Sequence, residues 1–378
     1  MARHRGSNEG SIYKRKSDGR WVAAVCLDGG KRKVVYGATK AEALEKLDAA
    51  RSAKRAGRLT AAKGQTVAHY LDGWLETIRH SIRVSTYKNY STGIKWLKPH
   101  VGHVRLDRLA PALIQQAYSD MLSSGLSGRS VQISATLLRT ALKQAVRLGL
   151  MTYDPTDMVT PPRRTRHELS VLTAEQAYKL FECTKDDPLH ALWVTLASTG
   201  LRIGEALGLK WDDVSLEDRT LTVRRGIQRQ PGKGLVFVEP KTAAGRRTVN
   251  LTVTAAEALR GHRTRQLGHR LEIGPLWQDQ RMVFASDFGT PLDGSNAYHR
   301  FQSALSKATL PHMRLHDLRH TAATLMLTEG IHPKVVQEML GHSNITLTLA
   351  TYSHVLPTMQ REAADKLDTA FNRVRMAQ

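Results

Sequence analysis

The chain has 378 residues, 41% of them apolar, with 56 Lys and Arg against 34 Asp and Glu, giving a formal net charge of +22. That length supports two or three domains, the apolar fraction excludes a disordered chain, and the charge makes a polyanion the expected partner. Two cysteines, Cys26 and Cys183, are too few for a disulfide framework or a thiolate metal site and fit a reducing compartment. The basic start MARHRGSNEGS has no apolar run behind it, so no signal peptide is expected. The most apolar stretch, 191–209, is interrupted by Arg202 and Glu205, which excludes a membrane span. A soluble protein of the cytoplasm, without a membrane partner, is the expectation.

Residues 1–56 read as three short strands and a helix. The strands are SIYKRK, RWVAAVCLD and KRKVVYGA, separated by Ser17-Asp18-Gly19 and Gly29-Gly30, dipeptide chemistries that close tight hairpins. Trp21, Ala23, Val25 and Leu27 alternate onto one face, and a helix over 40–56 offers Ala43, Leu44 and Leu47 to cover it. Residues 1–65 hold 16 Lys and Arg against 6 Asp and Glu, so nearly half of the charge excess sits in a sixth of the chain. The plain reading is a solvated basic surface. The sharper one is a small DNA-reading module, since a stranded ribbon can enter the major groove. Its candidate contacts are Lys14, Lys16, Arg20, Lys31, Arg32 and Lys33.

Residues 57–65, GRLTAAKGQ, read as a linker. From 66 to 152 the pattern predicts four or five helices. Val67, Tyr70, Leu71, Trp74 and Leu75 recur at helical spacing, as do Leu137, Leu138, Ala141, Leu142 and Val146. Ser85 is a predicted N-cap and Pro111 a first-turn residue. Arg83, Lys88, Lys95, Lys98, Arg129 and Arg139 fall on outer faces, and Arg83 and Lys88 join the candidate DNA contacts. The aromatic residues lie on the apolar stripe and read as core rather than base-stacking platforms. Pro155, Pro161 and Pro162 mark a second linker over 153–169. A third segment, 170–378, opens with a capping box at Thr173 and Gln176 and carries short strands near 220–226, 235–239 and 246–251.

The chemistry-bearing residues lie in this third segment. Arg202 starts a short helix after Thr199-Gly200, with Glu205 at i+3 to orient it; a buried Arg–Glu pair is the plain alternative. His316 and Arg319 share a helical face in LHDLRH. His316 and His320 at i, i+4 have metal-ligand spacing, but no HExxH carboxylate lies between them, so no metal is expected. His320 alone reads as a capping or core histidine, and Asp317 as a helix cap. His342 follows a helix over 333–340, where a C-cap contact is its plain role. Tyr352 is one of ten tyrosines and is singled out by its company. Two cations, a histidine and a tyrosine at these spacings suit attack on a phosphodiester by a phenol oxygen.

Four blocks in order, TGLRIGEALGL, PKTAAGRRTVNL, HDLRHTAATLML and LGHSNITLTLATYSHV, carry a resemblance. With them the third segment resembles the catalytic domain of tyrosine recombinases, the family of lambda-type phage integrases. The helical segment resembles the family's core-site-binding domain, and the strand-rich start its arm-site-binding domain. The resemblance implies a mainly α fold with small β-sheets (α+β). The family pattern of Arg, Lys, His-x-x-Arg, His and Tyr falls on Arg202, Lys241, His316, Arg319, His342 and Tyr352, with every position filled.

What the resemblance implies is a site-specific recombinase in which Tyr352 attacks DNA in line, leaving a 3′-phosphotyrosyl link and a free 5′-hydroxyl. Arg202 and Arg319 would clamp the non-bridging oxygens and Lys241 would protonate the departing 5′ oxygen. His316 would assist proton transfer at the tyrosine, His342 would bond the phosphoryl group, and Glu205 would support Arg202 or His316 from behind. No metal, ATP or other cofactor is implied. Implied partners are double-stranded DNA with core-type and arm-type sites, three further copies on synapsed duplexes, a host DNA-bending protein and an excision factor. The setting is the nucleoid of a bacterial host, and the element a phage or integrative plasmid. A helix over 358–376, with Ala364, Leu367, Ala370 and Phe371 as its stripe, would dock on a neighbour or fold back on its own domain. The alternatives are a type IB-like topoisomerase using the same residues, and an inert DNA-binding regulator on the same scaffold.

Overall fold

Strand-forming residues flank Asp18-Gly19, where Gly19 takes a positive φ of 68° and the Asp18 carboxylate pairs with Arg15. The turn joins β1 (Ser11–Lys14) to β2 (Trp21–Cys26), which pairs on its other edge with β3 (Arg32–Gly37), giving an antiparallel sheet in the order β1-β2-β3. Helix α1 (Lys40–Arg55) covers one face, burying Ala43 and Leu47 against Ala23 with Ile12, Trp21 and Val35 around them. Leu44, expected to help, is 38% exposed, because only one side of this helix meets the sheet. The opposite face is open and presents Tyr13, Val34 and Tyr36. This computed structural model describes residues 11–15, 18–26, 32–55, 64–163, 170–240, 243–352, 364–365, 367–369 and 371–372.

The helical stretch forms α2 (Val67–Ile78), α3 (Val84–Val101), α4 (Pro111–Ser123) and α5 (Gly128–Arg147). The apolar stripe of α2 is wholly buried, with Tyr70 and Trp74 among the core side chains. Burial of an aromatic with a polar tip requires a partner for that tip. The Tyr70 hydroxyl donates to the Ala141 carbonyl at 2.6 Å, and Trp74 Nε1 donates to Gln144 Oε1 at 2.9 Å, which fastens α2 to α5. Pro111 occupies the first turn of α4 as expected. Ser85 does not cap α3, which starts one residue earlier behind Arg83; the chain enters extended there and no side chain closes the turn. On the outside, Lys98 is held by Asp72 and Arg139 by Asp157, whereas Arg83, Lys88, Lys95 and Arg129 are exposed.

The chain forms two compact units, residues 1–166 and 167–378. The second opens at the expected capping box, where Thr173 and Gln176 exchange hydrogen bonds at the start of α6 (Ala174–Cys183). Helix α7 (His190–Thr199) is buried on nearly every side, all but His190 and Ser198, with Trp193 fully buried against Phe301. After the short α8 (Ile203–Leu207), β4 (Val214–Ser215), β5 (Thr220–Val223) and β8 (Arg247–Asn250) form one antiparallel sheet. A separate hairpin of β6 (Gly226–Gln230) and β7 (Gly234–Val238) lies between β5 and β8 in sequence. The strand expected near 220–226 is therefore two: its residues divide between β5, in the three-stranded sheet, and β6, in the hairpin.

Helices α9 (Val253–Ile273), α10 (Gly294–Lys307), α11 (Asp317–Thr328), α12 (Pro333–Leu340) and α13 (Ile345–Tyr352) complete the unit. Ala322, Ala323, Met326, Leu327, Val336 and Leu340 make a small core of their own, and the Tyr352 ring belongs to it. Of the stripe expected in the C-terminal helix, Leu367 and Phe371 are helical and exposed and Ala364 is exposed; Ala370 lies outside the described residues. Among the described residues no helix is long and apolar enough to cross a membrane.

Candidate active site

Two left-handed glycines set the frame. Gly200 ends α7 at φ 65°, a left-handed conformation that favours glycine, and a Cβ there would lie 2.5 Å from Leu340 Cδ2, which would have to shift. Its carbonyl accepts from Arg319 Nη1 at 2.7 Å, joining α7 to α11. Gly341 ends α12 at φ 68°, where a Cβ would stand 2.7 Å from Arg247 Nη1.

Around this frame three guanidiniums face one carboxylate. Arg202 caps α8, and Glu205 turns back to accept from its backbone N–H at 3.1 Å and from Nη1 at 2.7 Å. Glu205 also accepts from Arg247 Nη2 at 2.9 Å. Arg247 in turn donates from Nε to the Met339 carbonyl at 2.6 Å, satisfying a free carbonyl at the negative end of α12. Burial works to raise the Glu205 carboxyl, but Arg247 and then Arg202 outweigh it and hold its pKa below the ordinary value. Arg319 is 3% exposed. Burial, with Arg202 adding to it, lowers its pKa to about 9, which still leaves a cation at neutral pH. Its Nη2 is buried without a hydrogen-bond partner in the protein. A buried charged donor left unpaired is costly, and an anion drawn into the cluster would supply what it lacks.

The histidines and the tyrosine complete the cluster. Packing, then Arg319 and Arg202, lower His342 to about 4, so its ring is neutral at physiological pH. Its Nδ1 meets Thr348 Oγ1 at 2.8 Å. Tyr352, four residues on from Thr348, is 1% exposed, and burial raises its hydroxyl to about 12, with Arg319 opposing. That hydroxyl shares a 2.8 Å hydrogen bond with His320 Nδ1. His316, which the sequence reading set beside the tyrosine, instead packs edge-on against His320 with ring centroids 5.3 Å apart. Packing and the neighbours His320 and Arg319 lower its pKa, although its outer edge is open to solvent.

Arg202, Glu205, His316, Arg319, His342 and Tyr352 thus form one cluster, while Lys241 lies outside the described residues. Two members were missed. Arg247 lies inside the PKTAAGRRTVNL block, but nothing in its local pattern marks it. His320 carried one signal, its i+4 spacing from His316, and was set aside as a cap or core residue. Asp317 is not the helix cap it was expected to be. It is buried, accepts from the Arg314 backbone N–H at 3.0 Å, and pairs with the Arg314 guanidinium at 2.7 Å. Of the candidate DNA contacts, Lys14, Arg20, Arg83 and Lys88 are exposed; Lys16 and Lys31 lie outside the described residues, as do the side chains of Arg32 and Lys33.

Glu205→Gln should lower stability at pH 7 by about 3 kcal/mol, since removing one partner of a buried pair strands the other. Because the folded pKa is depressed, the wild-type advantage is complete above the ordinary carboxylate value and lost as pH falls through the folded one. Denaturant unfolding at neutral and acid pH checks this: the gap between the two proteins should close in acid.

A model of the phage integrase family matches residues 170–359, and one of the phage integrase N-terminal SAM-like domain matches residues 66–122. The chain belongs to the phage integrase family. It is a tyrosine recombinase, a site-specific recombinase of mobile elements. Similar proteins include a XerC-like tyrosine recombinase of Caldanaerobacter subterraneus subsp. tengcongensis, 29% identical over 90% of this integrase and 92% of that protein. An integrase of Saccharopolyspora erythraea is 28% identical over 98% of each chain. Among solved structures, the Tn1549 transposon integrase in complex with a circular intermediate DNA is 22% identical with a TM-score of 0.68, covering 80% of this chain and 100% of that one. A lambda integrase dimer bound to a core site is 19% identical with a TM-score of 0.56, covering 93% and 96%. These structures share the fold: mainly helical, with small antiparallel sheets.

Proposed function

We propose that this recombinase cuts and rejoins double-stranded DNA by attack of Tyr352 on a phosphodiester, forming a 3′-phosphotyrosyl link that a 5′-hydroxyl later resolves. The observation that carries the reading is the gathering of Arg202, Arg247 and Arg319 beside His342, with Arg319 acting on the Tyr352 hydroxyl and its own buried Nη2 unpaired. Charge develops on the non-bridging oxygens in the transition state. Planar donors fixed beforehand stabilise it without reorganisation, each worth about 3 kcal/mol. Arg202 and Arg319 are the clamp, and Arg247 holds Glu205 behind them. His342, neutral and fixed by Thr348, bonds the phosphoryl group. The link keeps the energy of the broken ester, so ATP has no part in rejoining.

The test is a nicked duplex carrying candidate attachment DNA, whose short cleaved piece diffuses away and traps the adduct. Digestion and mass spectrometry should find the 3′ nucleotide on the peptide holding Tyr352. A link to another residue would overturn the assignment. Relaxation of supercoils with no recombinant product would favour a topoisomerase.

The partners follow the same reading. The Tn1549 and lambda integrase structures are complexes with DNA, and lambda integrase is also seen as a tetramer on a Holliday junction. We infer four copies of this chain on two duplexes, with residues 66–378 gripping the crossover site. A host bending protein and an excision factor would set the direction of the reaction. Residues 1–56 would bind distal arm sites through the open sheet face that presents Tyr13, Val34 and Tyr36. Deleting residues 1–60 should erase arm-site footprints and leave core-site binding intact. Loss of both together would refute a separate arm-binding module.

A further inference from the structure

We propose that His320, rather than His316, holds the Tyr352 hydroxyl for attack and receives its proton. The inference deepens the reading of Tyr352 as nucleophile and rests on it. The geometry comes first: His320 Nδ1 lies 2.8 Å from Tyr352 Oη, within the reach required of a general base. The His316 ring touches the His320 ring, 5.3 Å between centroids, and the His320 ring is the one against the tyrosine, at 5.7 Å. His320 projects from α11 one residue after Arg319, so the segment that carries a phosphate clamp also carries the acceptor. A phenol whose pKa is raised to about 12 is almost wholly protonated at neutral pH, which makes an acceptor necessary.

The step balances. The Oη–H proton passes to Nδ1 as the Oη–P bond forms. The P–O5′ bond breaks, and the departing oxygen takes its proton from Lys241. In the reverse sense, a 5′-hydroxyl attacks and gives its proton back to Lys241, the Oη–P bond breaks, and His320 returns the proton to the tyrosine. To accept at Nδ1, His320 must be neutral with its proton on Nε2. Burial lowers its pKa, with Asp317 opposing and Arg319 and Arg314 adding to the fall, so the neutral form is the resting one. His316 and Tyr352 are the other titratable groups packed against it. Asp317 also favours the imidazolium once it has formed.

The test is single-turnover adduct formation on a nicked duplex carrying the attachment DNA, followed from acid to alkaline pH for wild type, His320→Asn, His320→Gln and His316→Gln. Asparagine keeps an acceptor near the Nδ1 position but cannot take up a proton; glutamine is the second variant should asparagine unfold the domain. In wild type the rate should fall in acid as an imidazole protonates. His320→Asn should be slower by about a hundredfold, the lower end for a lost general base, and should lose that acidic limb. His316→Gln should keep it. The proposal is overturned if His320→Asn retains the limb, if His316→Gln is the variant that loses it, or if His320→Asn is faster than wild type, which would make His320 a latch. Wild type yielding no adduct, or an adduct on another residue, overturns the underlying reading of Tyr352 instead.

Discussion

Tyr352→Phe is expected to abolish the covalent protein–DNA adduct while leaving affinity for DNA unchanged. The phenyl ring keeps its place among Ala322, Met326, Val336 and Leu340, so the small core that seats it is preserved. The hydroxyl is buried against His320 and contributes almost no surface to the resting protein. Its removal costs one hydrogen bond and strands His320 Nδ1, together worth about 1 kcal/mol of stability. A denaturing gel of the nicked-duplex reaction, read beside a gel-shift titration, separates the two quantities. Persistent adduct would mean that another residue attacks, and a collapse of binding would mean that Tyr352 supports the fold.

Lys241→Ala should reduce cleavage of ordinary DNA by roughly 10²–10⁴, the range for a lost general acid. Cleavage should return when sulfur replaces the 5′ bridging oxygen. An alkoxide leaves only with a proton, whereas a thiol has a pKa of about 8.5 and departs as the anion. Neither basic neighbour is a ready substitute: Arg246 pairs with Glu239, and Arg247 is occupied by Glu205 and the Met339 carbonyl. The comparison is internal to one variant, since the same protein is assayed on both substrates. A variant equally slow on both would remove Lys241 from the chemistry and leave it a role in binding.

The sequence was most legible where spacing meets a rule. The stripe of α2, the capping box at Thr173, Pro111 in the first turn of α4 and the pairing of Arg202 with Glu205 are local, and the structure has each of them. Failures came where a distant partner decides. Arg247 matters because it reaches Met339 across the fold, and no neighbour in its own strand reveals that. His320 was passed over because nothing near it in sequence shows that Tyr352 will arrive beside it. Leu44 looked like a third cover for the sheet, but α1 meets that sheet along one narrow side. Ser85 had the right chemistry for a cap, one residue inside the helix that formed.

The Gly200 carbonyl and Arg319 meet across 119 residues of chain. Until α11 has been synthesised and docked, Arg319 has no seat, Arg202 has no companion and the tyrosine has no pocket. A nascent polypeptide that has emerged only as far as β8 therefore carries Arg202, Glu205 and Arg247 without the Arg319, His342 and Tyr352 that the proposed chemistry needs. On the proposed reading, the site is complete only once the domain is finished.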